Sequence, residues 1–437
     1  VAYVLKGGLA WLPEGFRKRD ILLEDGKIKE IGDQLNIAYA EEIDCRDCYL
    51  IPGVIDFHVH NGEPAANTLL AEDERLISLT CKRGGVTTIG TFITETERET
   101  IAEMFPRRKN KFKNLPLSVN WHLTPVRTKI SSLKQFLREN CDLKLYTTYK
   151  EAGLHSSYKR IEEIFSYLAG NTNVGKEKPV RILIHCEDNE IIEKKREEIP
   201  FKSAYDHALR RPEIAEIKAV ERVLELAVKY NYPVHIVHVS SPRAALLIRE
   251  AQKSAPISCE TAPHYLLLNE DVLRQKDGHR WLCTPPLRAE RSRGEMVELA
   301  QEGLFDIYAT DHCPFTVYDK DRYAAQPDKV PMGLPGTGAL LPIMYEELVK
   351  TGKIGLTELI ERLTVNPAKL LGIYPEKGII KEGSVGDLLI FQETGEEKPI
   401  QASVTAVHNP WKNRTTSLSI KQLFRKGELL PGFQTIY

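Results

Sequence analysis

Charge of one sign is what the sequence most lacks. Sixty lysines and arginines face sixty-one aspartates and glutamates, a formal net charge of −1. No global field therefore draws the chain to nucleic acid or to an anionic membrane. Long apolar runs are missing too: none approaches the roughly 18 residues needed to span a bilayer. Val1 to Leu12 has no charged-then-apolar-then-small pattern of a secretory signal. A soluble cytoplasmic protein with neither nucleic-acid nor membrane partners is expected. Aromatic residues make up only 8%, yet 42% of the chain is hydrophobic, enough for a substantial core and against intrinsic disorder. Eight cysteines, spread from Cys45 to Cys313, are too sparse for a disulfide framework in 437 residues. Cys45-x-x-Cys48 is the one close pair. With no second CxxC or paired histidines after it, it reads as two small strand or turn residues rather than a zinc or redox motif.

What is present is a change of texture along the chain. Residues 1–50 hold short strand-like runs (Val4–Lys6, Asp20–Glu24, Lys27–Ile31), with Asp25-Gly26 as a hairpin signal. The same texture returns after about residue 383, in Asp387–Phe391, Thr405–His408 and Lys421–Lys426. Between them, apolar β-branched runs alternate with helical patterns, as βα units do. The strands are expected at Gly53–His58, Gly85–Phe92, Ser118–Thr124, Asp142–Thr148, Arg181–His185, Val234–Val239, Ile257–Thr261 and Phe305–Thr310. Helices are clearest at Ile214–Lys229, Pro242–Gln252, Arg291–Gln301 and Leu340–Lys350, and weak in the second and third units. Eight such units predict an α/β fold, a closed (β/α)₈ barrel over residues 53–382. Residues 1–52 and 383–437 would combine into a small β-sandwich domain built from both chain termini.

Chemistry concentrates where barrel active sites lie, at the carboxyl ends of the strands. Asp56-Phe-His58-Val-His60 ends the first strand, and residues two apart on a strand share a face, so His58 and His60 point into one cavity. His185 ends the fifth strand, His238 lies at the end of the sixth, and Asp311 follows the eighth. Any one of these could be a satisfied core group or a helix cap. Four histidines and an aspartate delivered to one rim are better read as metal ligands, suited to zinc, manganese or iron rather than calcium. Lys144, in the fourth strand, is costly to bury as an ammonium, so a neutral amine able to react with carbon dioxide is conceivable. On burial alone the plainer reading of Lys144 is a snorkelling or ion-paired lysine.

Taken together, Pro52-Gly-Val-Ile-Asp-Phe-His-Val-His60, Lys144 with Tyr149, His185-Cys-Glu-Asp-Asn189, Ile236-Val-His-Val-Ser240, Glu260-Thr-Ala-Pro-His-Tyr-Leu266, Thr284-Pro-Pro-Leu-Arg288 and Thr310-Asp-His-Cys-Pro-Phe315 resemble the cyclic amidohydrolases of the amidohydrolase superfamily. Gly333-Leu-Pro-Gly336, Asn366-Pro-Ala368 and Gly383-Ser-Val-Gly-Asp387 extend the likeness over nearly the whole chain. The resemblance implies hydrolysis of a cyclic amide by a metal-bridging hydroxide between two divalent cations, zinc foremost. His58, His60 and Asp311 would bind one, His185 and His238 the other, with an N6-carboxylated Lys144 bridging them. Asp311 would carry the proton to the leaving nitrogen, Tyr149 would stabilise the oxyanion, and the main chain at Thr284 and Pro335 would bind the ring.

Within that superfamily, Tyr149 five residues after Lys144, the Leu266-Leu-Leu-Asn-Glu270 run and Gly333-Leu-Pro-Gly336 are most like the hydantoinase and dihydropyrimidinase group. Ring opening to an N-carbamoyl amino acid by a homodimer or homotetramer is what that group implies. Dihydroorotases carry an arginine where Gly62 stands, and no neighbouring arginine in the sequence replaces its charge-assisted contact. Allantoinases share His-Val-His followed by Glu63-Pro64, and Thr261-x-Pro-His-Tyr265, but not the tyrosine. Residues Pro64 to Leu70 would border the pocket for the exocyclic substituent. The competing class is a non-catalytic dihydropyrimidinase-like binding protein; here all six ligand positions are filled, which favours an enzyme. His122 is given no role, His264 reads as a helix cap, and His312 should face away from the metals.

Overall fold

Segments such as Val86–Thr94 and Ile182–His185 are apolar, β-branched and buried along their length. That is the pattern of strands covered by helices on one side and by a barrel interior on the other. In the computed structural model, which describes residues 1–65, 68–171, 174–175 and 178–432, eight of them form one parallel sheet. In chain order they are Val54–Val59, Val86–Thr94, Ser118–Thr124, Asp142–Tyr146, Ile182–His185, Val234–Ile236, Ile257–Thr261 and Ile307–Tyr308, each paired with the next. The seam between first and last closes just beyond the last strand. Val59 bridges His312, His60 N donates to His312 O (2.7 Å), and His312 N donates to His58 O (3.3 Å). Buried Asp56 clasps the same seam, accepting from Thr310 N (3.1 Å), Thr310 Oγ1 (2.6 Å) and Thr337 Oγ1 (2.8 Å).

The helices start and stop for local reasons. Glu213–Tyr230 buries Ala219, Val220, Val223, Leu224 and Ala227 at helical spacing and ends on Asn231 in the left-handed region. The second unit is stronger than expected. Thr100 and Glu103 form a capping box that starts Ile101–Phe112 despite an interior Pro106. The third unit is weak as expected, two single turns at Ile130–Leu133 and Lys134–Leu137. Ala368 and Leu371, from the short helix Val365–Leu371, pack with Ile55, Phe57, Leu183, Val237, Ile307 and Ala309. Asn366 Nδ2 holds Asp306 O at the start of the last strand, so this helix lies at the amino end of the barrel.

Both chain ends contribute to one separate mixed sheet. Its order is Glu428–Leu429, Thr415–Arg425, Leu388–Pro399, Tyr49–Pro52, Tyr3–Leu12, Gly15–Glu24, Lys27–Gly32, with Glu41–Asp44 also beside Tyr3–Leu12. Asp25 and Gly26 both take positive φ (50° and 78°), the turn their sequence signals. Thr405–His408 is not a strand: only Val407 bridges, to Thr316. Its flanking hydroxyls are taken by a carboxylate instead, Ser403 Oγ and Thr405 Oγ1 both donating to buried Glu72, which pins the segment to the barrel. Cys45 and Cys48 are buried in this sheet domain, and burial raises both thiols, Cys45 to about 12. They are small packing residues. Among the described residues no helix is long and apolar enough to cross a membrane.

Candidate metal centre and active site

The first strand does not alternate strictly. Its pairing with Val86–Thr94 shifts register between Asp56 and Val59, and Gly90 opposite is required because a Cβ there would collide with Phe57 O and His122 Nε2. The irregularity lies where the strand turns its imidazoles to the rim. Among the described residues, one group of three offers metal-ligand atoms within 4.8 Å of one another: His58, His60 and Asp311. His58 Nε2 and His60 Nε2 lie 3.1 and 3.4 Å from Asp311 Oδ1. The other two predicted histidines adjoin them. Ring centres run His60–His58 5.3 Å, His58–His238 5.5 Å and His238–His185 4.5 Å.

Apart from His58, which Glu260 and Asp311 raise against the opposing effects of burial and Lys144, the charge states suit a cation. Burial favours a protonated Asp311, but His58, His60 and His238 around it outweigh burial and hold it ionised, well below the usual carboxylate range. Burial keeps His60 neutral, down to about 4 despite Asp311, and holds His238 and His185 low as well. His238 Nδ1 is buried with no hydrogen-bond partner, and His58 Nε2 has only the Asp311 carboxylate beside it, an arrangement that costs stability unless something else engages these nitrogens. The His58, His60 and Asp311 donors fit a divalent cation. Lys144 Nζ lies 5.4 Å from the Phe92 ring and 5.2 Å from that of Tyr146, and Phe92 in turn stacks on His60 at 4.3 Å. No hydrogen bond or ion pair joins Lys144 to the described residues, and burial pulls its ammonium down to about 8, against the opposing pull of Asp311 and Glu260.

The remaining predicted residues also reach this rim. Tyr149 shares a side-chain hydrogen bond with Thr284, and its ring is 5.1 Å from that of His185. Burial pushes its phenol well up, so it stays protonated. Thr284 is also held near His207 Nε2 (3.4 Å). Pro335 sits between Leu334, whose carbonyl accepts from Cys313 N (2.9 Å), and Gly336, whose N–H donates to His312 Nδ1 (2.9 Å). His312 therefore faces away from the metal ligands, its Nε2 toward Glu72 (3.2 Å). Tyr149, His238 and Asp311 take φ of 65°, 39° and 49°, three of the eight non-glycine residues with positive φ among the described residues, and such backbone strain gathers at functional sites.

Residues 49–430 match the amidohydrolase family. The chain belongs to that family. This amidohydrolase is 27% identical to a D-phenylhydantoinase of Escherichia coli O1:K1 / APEC over 98% of its own length and 94% of the relative's. It is 27% identical to a D-hydantoinase of Ralstonia pickettii, covering 93% and 89% of the two chains. The solved D-hydantoinase of Bacillus sp. AR9 superposes with a TM-score of 0.89 at 26% identity, covering 98% of this chain and 95% of that one.

The amidohydrolase also holds its candidate ligands with residues to which the sequence had assigned no role. Glu260 Oε1 accepts from His58 Nδ1 (2.5 Å) and from His238 N (3.2 Å), and its Oε2 faces His235 Nε2 (3.0 Å). One carboxylate thus fixes the ring of one ligand and the backbone of another. Glu187 Oε2 pairs with His185 Nε2 (2.7 Å) and with Arg211 (2.6 Å), leaving His185 Nδ1 toward the rim. His264 is more than a cap residue: it is buried, burial lowers it to about 4, its Nε2 has no partner, and Asp311 lies within electrostatic reach. The space a Gly62 side chain would fill is taken by the Arg108 guanidinium. An arginine thus stands beside Gly62, but it is engaged by Glu74 (2.7 Å) and Asn61 O (2.9 Å). Part of the expected substituent loop, residues 66–67, lies outside the described residues.

Proposed function

We propose that this enzyme opens the ring of a hydantoin or dihydropyrimidine to the N-carbamoyl amino acid, with two divalent cations, zinc foremost. The observation that carries the reading is the convergence of four imidazoles, ionised Asp311 and unpaired Lys144 at one barrel rim, with His238 Nδ1 left without a partner. His58, His60 and Asp311 would hold one cation, His185 and His238 the other. Lys144, carboxylated by carbon dioxide, would contribute to both. Bound there, the cations supply Lewis acidity, which makes water a nucleophile near neutral pH and polarises the scissile carbonyl.

The chain's own residues do the rest. Ionised Asp311 takes the proton of the attacking water and returns it to the leaving ring nitrogen, general base then acid. Tyr149, protonated and half-buried, donates its O–H to the oxygen that becomes negative at the attacked carbonyl. The main chain at Thr284 and Pro335 hydrogen-bonds the imide edge of the ring. Arg108 is engaged elsewhere, so the carboxylate of dihydroorotate finds no free guanidinium at Gly62.

The test is the metal content of purified protein with and without bicarbonate, alongside hydrolysis of hydantoin, dihydrouracil, allantoin and dihydroorotate. N-carbamoyl product from hydantoin or dihydrouracil is expected. A protein loaded with two metals that opens none of the four rings overturns the reading, as does Lys144→Ala with full metal content and activity.

A further inference from the structure

His312 follows the candidate ligand Asp311 but turns its ring the other way, and both ring nitrogens are engaged in the buried wall behind the rim. Nδ1 receives the main-chain N–H of Gly336 (2.9 Å) and of Thr337 (3.2 Å). A main-chain N–H only donates, so Nδ1 is unprotonated and the ring proton sits on Nε2. Nε2 faces Glu72 Oε2 at 3.2 Å. Glu72 is fixed in turn, its other oxygen accepting from Thr80 Oγ1 (2.8 Å) and Ser403 Oγ. Burial opposes ionisation of Glu72, but His312, Ser403 and Thr80 outweigh it and hold the carboxyl below its ordinary value. An ionised carboxylate only accepts, and so selects the tautomer whose free lone pair meets the two N–H groups.

The consequence falls on Pro335. Its peptide bond to Gly336 is trans, so the Gly336 N–H and the Pro335 carbonyl point in opposite directions. With the N–H held by His312, the carbonyl is turned away from His312. Proline has no N–H of its own, so this carbonyl is the one main-chain group that Pro335 offers. Pro335 is buried, yet no donor among the described residues reaches its carbonyl. Buried main-chain acceptors rarely stay unpaired, and an exception points to a donor that the chain does not supply. The peptide has little room to turn over. A Cβ on Gly336 would lie 2.7 Å from Thr310 Cβ, and Thr337 Oγ1 donates to Asp56 (2.8 Å).

We infer that Glu72 and His312 are positioning residues, which hold the Pro335–Gly336 peptide by its N–H so that the Pro335 carbonyl accepts an N–H of the ring substrate. This rests on the ring-opening activity proposed above. Their effect falls on substrate binding rather than on metal loading. The bonds that join His312 to His58 and His60 are main-chain ones, which a change of side chain leaves in place.

Two replacements separate the roles of the two ring nitrogens. An asparagine amide reaches about where Nδ1 stood, and a glutamine amide about where Nε2 stood. His312→Asn therefore keeps an acceptor for Gly336 and Thr337, whereas His312→Gln keeps a partner for Glu72 and leaves both N–H groups bare. Zinc content, kcat and KM for hydantoin and dihydrouracil are measured on wild type and both variants. The KM of His312→Gln is expected to exceed that of His312→Asn by at least about tenfold, with kcat per loaded centre within about threefold. Independently, NMR of metal-free wild type carrying ¹⁵N-histidine, with the His312 signals assigned by their loss in the variants, should show Nε2 protonated and Nδ1 bare. A protonated Nδ1, or equal KM values in the two variants, overturns the inference while leaving ring opening intact. Turnover of neither ring by zinc-loaded wild type would instead sink the proposed activity, and this role with it.

Discussion

Replacing Glu260 by Gln tests whether metal affinity is set by the groups behind the ligands. The wild-type carboxylate receives the His58 ring N–H at 2.5 Å and the His238 main-chain N–H at 3.2 Å on a single oxygen. Gln can keep both bonds through its amide oxygen. Its NH₂ would face His235 Nε2, which can accept if His235 moves its proton to Nδ1, toward Ser258 Oγ at 2.9 Å. The shape is preserved and the charge is lost. Charge-assisted hydrogen bonds are roughly twice as strong as neutral ones. Losing such a partner behind a metal ligand typically weakens affinity about 10- to 100-fold, or about 1.4–2.7 kcal/mol. The assay is chelator competition for zinc on wild type, Glu260→Gln and Glu260→Ala, with urea unfolding of the metal-free proteins as control. Glu260→Gln is expected to lose affinity in that range with little change in metal-free stability. Glu260→Ala, which leaves three buried nitrogens without their partner, should lose more of both. Equal zinc affinity in all three proteins would refute the reasoning.

Three further outcomes are expected. Tyr149→Phe should lower kcat by about 10²–10³ with metal content unchanged, the loss typical of one oxyanion donor; an unchanged kcat would remove Tyr149 from the chemistry. With Lys144 at about 8, its neutral fraction is about one in a hundred at pH 6 and about one in ten at pH 7. At fixed dissolved carbon dioxide, reconstitution of metal-free protein should therefore speed up about tenfold between those values and level off above pH 8; a flat profile counts against carboxylation. Burial, backed by Arg211, lowers His207 to about 3. The folded state keeps it neutral while the unfolded state takes a proton below about 6.5, so its contribution is full above that value and lost as pH falls toward 3. His207→Gln should reduce the pH slope of metal-free stability between pH 4 and 6 by about 1.4 kcal/mol per unit. Glu63, raised to about 7, acts with the opposite sign over part of that range and is common to both proteins.

The eight barrel strands were legible because strands buried on both faces read as unbroken apolar runs, and the ligands because each ends or follows such a run. What the sequence hid depends on partners far along the chain. Glu260 meets His58 across 202 residues, and nothing local distinguishes it from any other strand-end acid. Beside the register shift at Asp56, the approach of Phe57 O to the next strand is possible only because Gly90 has no side chain. Arg108 fills the space at Gly62 only because the Ile101–Phe112 helix brings it there. Thr405–His408 alternates like a strand, but Glu72 competes for its hydroxyls and wins.

The seam of the barrel also dictates an order of events during synthesis. Asp56 and Thr310 clasp across 254 residues, and the Asp311 carboxylate that completes the His58–His60 cluster belongs to the closing segment. A nascent chain that has emerged only as far as the seventh strand carries His58, His60, His185 and His238 of the proposed ligand set, yet lacks Asp311 and the closed barrel around it. Contacts this distant in sequence form late because loop closure must precede any gain from them. A metal site at His58, His60 and Asp311 would thereby be completed only once almost the whole barrel has left the ribosome.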